Sequence, residues 1–161
     1  MLQELQIGGT SDLVKSRAMT LHLIKLCVGC ESIDDLVEWI EQKLAEKRKA
    51  GLPVEQYHTT RMVPKRIAEL LDGGSLYWVI KGNVQCRQRL LDVRPFTDSE
   101  GIGRCRLVLE PKVVPTEWQP KRPFQGWRYF DPKDIPPDLR KGRSKGLPPE
   151  LAAELAGLGL R

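Results

Sequence analysis

The sequence predicts an α+β fold, with two helices packed on a strongly bent antiparallel sheet or a small barrel. Three observations carry that expectation. Short apolar stretches alternate in strand fashion from Thr20 onward. One long amphipathic helix pattern follows Ser32. Seven prolines between Pro111 and Pro137 then forbid long regular elements. The chain's 161 residues fit one domain with tails. The expected division is a loose extension over residues 1–18, a domain over 19–140, and a basic linker with a short helix or tail over 141–161.

Thr20–Val28 reads as an interior strand because both of its faces are largely apolar. Lys25 is the one charged residue, sharing a face with Leu21, Leu23 and Cys27. Ser32 suits a helix cap, with Asp35 three residues on as a short capping-box variant. Ile33, Leu36, Val37, Ile40 and Leu44 then fall on one face, and Gly51 and Pro53 stop the helix. Val54–Thr60 is a candidate strand. Pro64 opens a second, shorter helix that Gly73-Gly74 closes. Ser75–Lys81 is the next strand, and Gly82-Asn83 a candidate hairpin turn. Val84–Val93 and Arg104–Glu110 read as an antiparallel pair around the Asp98–Gly101 loop. Symmetric pairing puts Arg87 and Arg89 on a sheet face with Arg104, Arg106 and Glu110. Phe124–Phe130, FQGWRYF, is too aromatic for a free linker and is expected to pack back on the sheet. Pro148–Leu158 suits a short helix.

Charge points toward an anionic ligand. The net charge is +5, with residues 61–94 carrying +4 and residues 121–145 carrying +5. Arg61, Lys65 and Arg66 crowd the expected start of the second helix, where the backbone dipole is already positive. Cations there are unfavourable unless an anion sits among them. The leading expectation is a binding module for a phosphate-bearing ligand, with RNA or another nucleic acid first. Arg61, Lys65 and Arg66 would hold phosphate, Arg87, Arg89, Arg104 and Arg106 would extend the field, and Lys81 is grouped with these anion-binding residues. Trp127, Arg128 and Tyr129 would stack or cap. The alternative reading of both basic blocks is an ordinary solvated surface.

No catalytic residue is expected. His22 lies on an apolar strand and reads as a core histidine. His58 precedes the basic segment but has no nucleophile motif beside it. The Cys27–Cys30 spacing suits a metal knuckle, yet Cys86 and Cys105 form no second knuckle, so neither metal nor cofactor is expected. Gly73-Gly74 follows a helix and precedes a strand, the reverse of a phosphate loop. No apolar run approaches the roughly 18 residues that span a bilayer. Residues 1–18 lack the apolar middle of a signal peptide, so reduced thiols and a cytoplasmic location are expected. Rival expectations are an enzyme in which His58 and Lys81 converge on an anionic substrate, and a protein-interaction adaptor using the C-terminal helix.

Four segments resemble a known family: MTLHLIKLCVG from Met19, MVPKRIAELLDGGSLYWVIKG, RCRLVLEP and FQGWRYF. In this order they are similar to an uncharacterised bacterial family, domain of unknown function 1489, over residues 19–140. The resemblance implies cytosolic bacterial proteins with no assigned activity, and it transfers no catalytic residue. It also implies that Cys30 is not a fixed feature. The order of helix, GGSLYWVIKG strand and Pro-rich return is similar to small PUA-like barrels of the EVE and ASCH types. That likeness implies RNA or modified-base binding.

Overall fold

A computed structural model describes residues 20–139. Its organising element is β4 (Asn83–Thr97), 15 residues long. On one edge β4 pairs antiparallel with β3 (Ser75–Ile80). Along its other edge lie β5 (Gly103–Leu109) and β6 (Val114–Pro120), nearly end to end, also antiparallel. β2 (Gln56–Thr60) extends the sheet beyond β5, and β1 (His22–Leu26) and β7 (Trp127–Phe130) extend it beyond β3. The strand order is β2-β5-β4-β3-β1-β7, with β6 beside β4.

Two sheet expectations are corrected. β1 runs parallel to β3, so the sheet is mixed. The strand order is open, with β2 and β7 at its two ends, where a barrel would join them.

Helix α1 (Ile33–Lys49) forms as its sequence dictates. The Ser32 hydroxyl accepts from the Asp35 amide at 3.1 Å. The Asp35 carboxylate accepts in return from the Glu31 amide at 2.9 Å, one residue before the cap. Asp34 and Asp35 occupy the first turn and Lys47, Arg48 and Lys49 the last, matching the helix dipole. Gly51 at φ 73 ends it, with its own amide on the Arg48 carbonyl and the Leu52 amide on that of Lys47. Leu36 and Ile40 are buried against the sheet.

The second helix, expected from Pro64, is one turn only, α2 (Ile67–Leu70). Arg66 precedes it in a non-helical conformation without a side-chain cap. Gly74 is obligatory after it: a Cβ there would lie 2.3 Å from the Leu70 carbonyl oxygen and 2.4 Å from that of Leu21. The hairpin turn is Lys81-Gly82, one residue earlier than expected. Both residues take positive φ, 50 and 82, which suits the right-handed twist of the flanking strands.

A register shift between Leu90 and Asp92 keeps β4 in phase with β5 while bending the strand. Leu90, Cys105, Leu107 and Leu109 therefore share the buried face as expected. That face packs on α1 and α2. The opposite face of β1 and β3, with Ile24, Tyr77 and Val79, is covered by Phe124, Phe130 and Ile135. FQGWRYF thus packs back as expected, part of it as the seventh strand. The expected extension over 1–18 and the expected linker and helix over 141–161 lie outside the described residues.

Candidate functional site

At the expected anion site several groups already have partners within the protein. The phenol oxygen of Tyr129 accepts from the amides of Lys65 and Arg66, at 2.8 and 3.2 Å. Those are the donors an incoming phosphate would need. The Arg66 guanidinium grips Glu69, with Nε 2.8 Å from Oε2 and Nη2 2.5 Å from Oε1. The Trp127 indole donates to the Met62 carbonyl at 2.7 Å. Trp127 and Tyr129 therefore clamp residues 61–66 onto β7. The helix-start argument loses ground, since α2 is a single turn with little macrodipole, and the Lys65 and Arg66 amides just before it already have a partner.

The other expected cations do not gather. Arg128 projects from the opposite face of β7 to Trp127 and Tyr129, with its guanidinium carbon 4.8 Å from the Phe124 ring centre. Arg87 forms a forked pair with Asp138, at 2.8 and 2.7 Å, and donates to the Ser75 hydroxyl at 3.0 Å. Lys81, in the hairpin turn, meets Glu31 at 3.4 Å. Arg104 meets Asp98 at 2.6 Å and pairs in register with Phe96. Phe96 is nine residues along β4 from Arg87, or about 30 Å of extended strand. Arg106 lies between two rings, 4.8 Å from Tyr57 and 4.7 Å from Phe96. Among the described residues Arg61, Lys65 and Arg89 have no carboxylate within 4 Å.

Between the end of β1, α1 and β2 lies a cavity of about 370 Å³, within the range of small-molecule sites. Its wall includes Lys25, Cys27, Asp35, Trp39, His58 and Trp78. The floor is rigid. The Trp78 indole donates to the Gln88 side-chain oxygen at 2.9 Å, and the Gln56 and Gln88 amides bond each other. The Gln88 amide also donates to the Glu110 carbonyl at 2.9 Å. His58 sets its ring edge-on to Trp78, 5.5 Å between centres. Lys25 pairs in register with Trp78 on β3 and with Trp127 on β7. No carboxylate lies within 4 Å of its ammonium among the described residues.

The electrostatics follow from that enclosure. Burial, helped by the Lys25 charge, lowers the His58 pKa to about 4, so the imidazole is neutral near pH 7. Burial also holds Lys25 below the ordinary lysine value, opposed only by Cys27. The Cys27 thiol is itself pushed far up, first by burial and then by Cys30. Cys86 is pushed up to about 12 by burial. These are neutral thiols, and none is in a disulfide. No cluster of three or more His, Cys, Asp or Glu suited to a metal is found among the described residues.

His22 is buried on the opposite face. Its Nδ1 accepts from the Ser75 amide at 3.0 Å, so its proton sits on Nε2, which has no partner. Burial, then Arg87, lowers its pKa to about 4.

Of these groups, the sequence singled out His58 and the Cys27–Cys30 pair but missed Lys25, Trp39 and Trp78. The available signal was Lys25 itself, a charge on an otherwise apolar strand face. No helix among the described residues is long and apolar enough to cross a membrane. No curated protein and no solved structure matches the chain, so the PUA-like likeness gains no support. A family model does match, over residues 23–161. On that match the chain belongs to the family described as Protein of unknown function (DUF1489).

Proposed function

We propose that this protein is a binding module for a phosphate-bearing ligand, with RNA or another nucleic acid as the leading class, and that the ligand enters the Lys25–His58–Trp78 cavity. The observation that carries this reading is an ammonium with no described carboxylate partner in an aromatic-walled cavity. Such a group gains from an incoming anion what a paired surface lysine has already obtained. Neutral His58 offers one donor and one acceptor to the ligand's polar edge. Trp39 and Trp78 supply apolar surface for a planar group.

Tryptophan fluorescence titrated with single-stranded RNA and with mononucleotides tests the reading. Nucleic-acid binding weakens steeply as salt rises, with a log–log slope of about 0.7 per single-strand phosphate neutralised. A small anionic ligand gives a shallow slope. The Lys25→Met variant is expected to bind at least tenfold more weakly, and unchanged affinity would overturn the assignment. The rival enzyme pairing of His58 with Lys81 is not favoured, because Lys81 is ion-paired in its hairpin and does not line the cavity.

A further inference from the structure

We propose that the outer face of the β2–β5–β4 part of the sheet carries a second contact for nucleic acid, in which Arg106 and Lys47 hold backbone phosphates of a single strand. The inference rests on the reading that the partner is a nucleic acid, but it does not use the cavity. Arg106 stands opposite Arg94 on β4 and Thr59 on β2, on the side of β5 away from buried Cys105 and Leu107. Arg104, two residues along, shares that face. Like charges directly opposite each other are unfavourable, yet this face gathers three arginines. Two of them have carboxylates. Arg94 forks onto Glu55 at 2.9 and 3.0 Å and meets Asp92 at 2.8 Å, and Arg104 meets Asp98 at 2.6 Å. Arg106 is exposed and has no carboxylate within 4 Å among the described residues.

Rings hold Arg106 instead. Its guanidinium carbon lies 4.8 Å from the Tyr57 ring centre and 4.7 Å from that of Phe96. The Tyr57 ring carries a second cation, Lys47 from the last turn of α1, at 3.9 Å. The Lys47 ammonium donates to the Glu55 carbonyl and keeps two further donors. The Glu55 carboxylate is close enough for its charge to interact with Lys47, but it is the one that Arg94 grips. A ring contact fixes a cation in place without neutralising it. Two anchored cations therefore retain N–H groups for an anion, and their ordering is complete before it arrives. A phosphodiester strand complements this pair, because its negative charges repeat along the chain. Such contacts position a strand without reading its bases.

The full chain is titrated at several salt concentrations with a labelled oligouridylate of about 12 nucleotides, read by anisotropy. Arg106→Gln is expected to weaken binding about tenfold and to lower the log–log salt slope by about 0.7, and adding Lys47→Gln to lower it by about 0.7 again. Arg106→Lys, which keeps the charge, is expected to recover most of the slope. Uridine monophosphate, read by tryptophan fluorescence, is expected to bind these variants as it binds the wild type, since neither residue lines the cavity. Photocrosslinking of the wild type to iodouridine-substituted RNA requires no variant to fold, and adducts are expected on Tyr57 or Phe96. An unchanged slope in Arg106→Gln, or adducts confined to Trp39 and Trp78, overturns the proposal and leaves the cavity reading standing. So does an oligoglutamate of equal length that binds as tightly with the same dependence on Arg106, which makes the face a site for acidic peptides. If the wild type binds neither the oligouridylate nor the mononucleotide, this proposal and the cavity reading fall together.

Discussion

Two regions of this molecule set positive charge beside aromatic rings, and they have opposite characters. In the clamp, residues 61–66 against β7, the principal polar groups are spoken for: two amides by Tyr129, the Met62 carbonyl by Trp127, and the Arg66 guanidinium by Glu69. In the cavity, the polar floor is satisfied internally, while the Lys25 ammonium above it has no described carboxylate partner. Both contain the ingredients of a ligand site. The difference teaches that partners already spent, rather than residue types, separate a structural joint from a place where something can dock.

The comparison can be broken most forcefully at Trp127, which is 5 % exposed and ties two segments together. Trp127→Ala is expected to cost about 3–5 kcal/mol, read as a large fall in the urea unfolding midpoint. A loss under 1 kcal/mol would mean the clamp is decorative.

Acid comes next, acting on two buried imidazoles, His58 in the cavity and His22 on the opposite sheet face. His22 has a folded pKa of about 4, below its unfolded value of 6.5. Its contribution is therefore fully present above pH 6.5 and lost as pH falls toward 4. The unfolded chain binds the extra proton in that window. His22 alone accounts for about 3 kcal/mol at pH 4, and His58 acts with the same sign. Chemical denaturation at pH 7 and pH 4 checks this, and equal stabilities would contradict the buried neutral imidazoles.

Lys25→Met separates the regions by function. It is expected to leave stability unchanged or raised, since it removes an unpaired, half-buried charge, while ligand affinity falls by at least 1.4 kcal/mol, or tenfold. Tyr129→Phe should do the reverse, costing about 1 kcal/mol of stability with ligand affinity unaltered. The smallest effect belongs to Arg66→Ala. Its ion pair is exposed, and such pairs contribute little, so neither the unfolding midpoint nor ligand binding should move measurably. A marked loss of RNA binding there would restore the helix-start site.

Much of the fold was legible because local rules governed it. Ser32, Asp35 and Gly51 set the ends of α1 by hydrogen bonds within a few residues. The apolar alternation of Ser75–Ile80 marked the most buried strand. The second helix was misjudged because Pro64 and an apolar stripe permit a helix without compelling one. The Tyr129 hydroxyl, more than 60 residues away, holds the Lys65 and Arg66 amides and so fixes the segment before α2. The Arg87–Arg106 face was read correctly as a face but not as a cluster. Alternation reports which side a residue points to and says nothing about distance along a bent strand.

The sequence by itself determined the family, the long capped helix, the apolar strands and the surplus of positive charge, since each is written in nearest neighbours and short periods. Tertiary structure alone decided which cations were left over. Pairing Arg66 with Glu69 is local, but pairing Arg87 with Asp138, and leaving Lys25 between Trp78 and Trp127 beside His58, depends on chain segments tens of residues apart. A charge becomes available to a ligand only after folding has assigned the protein's own counter-charges, and that assignment is made in space.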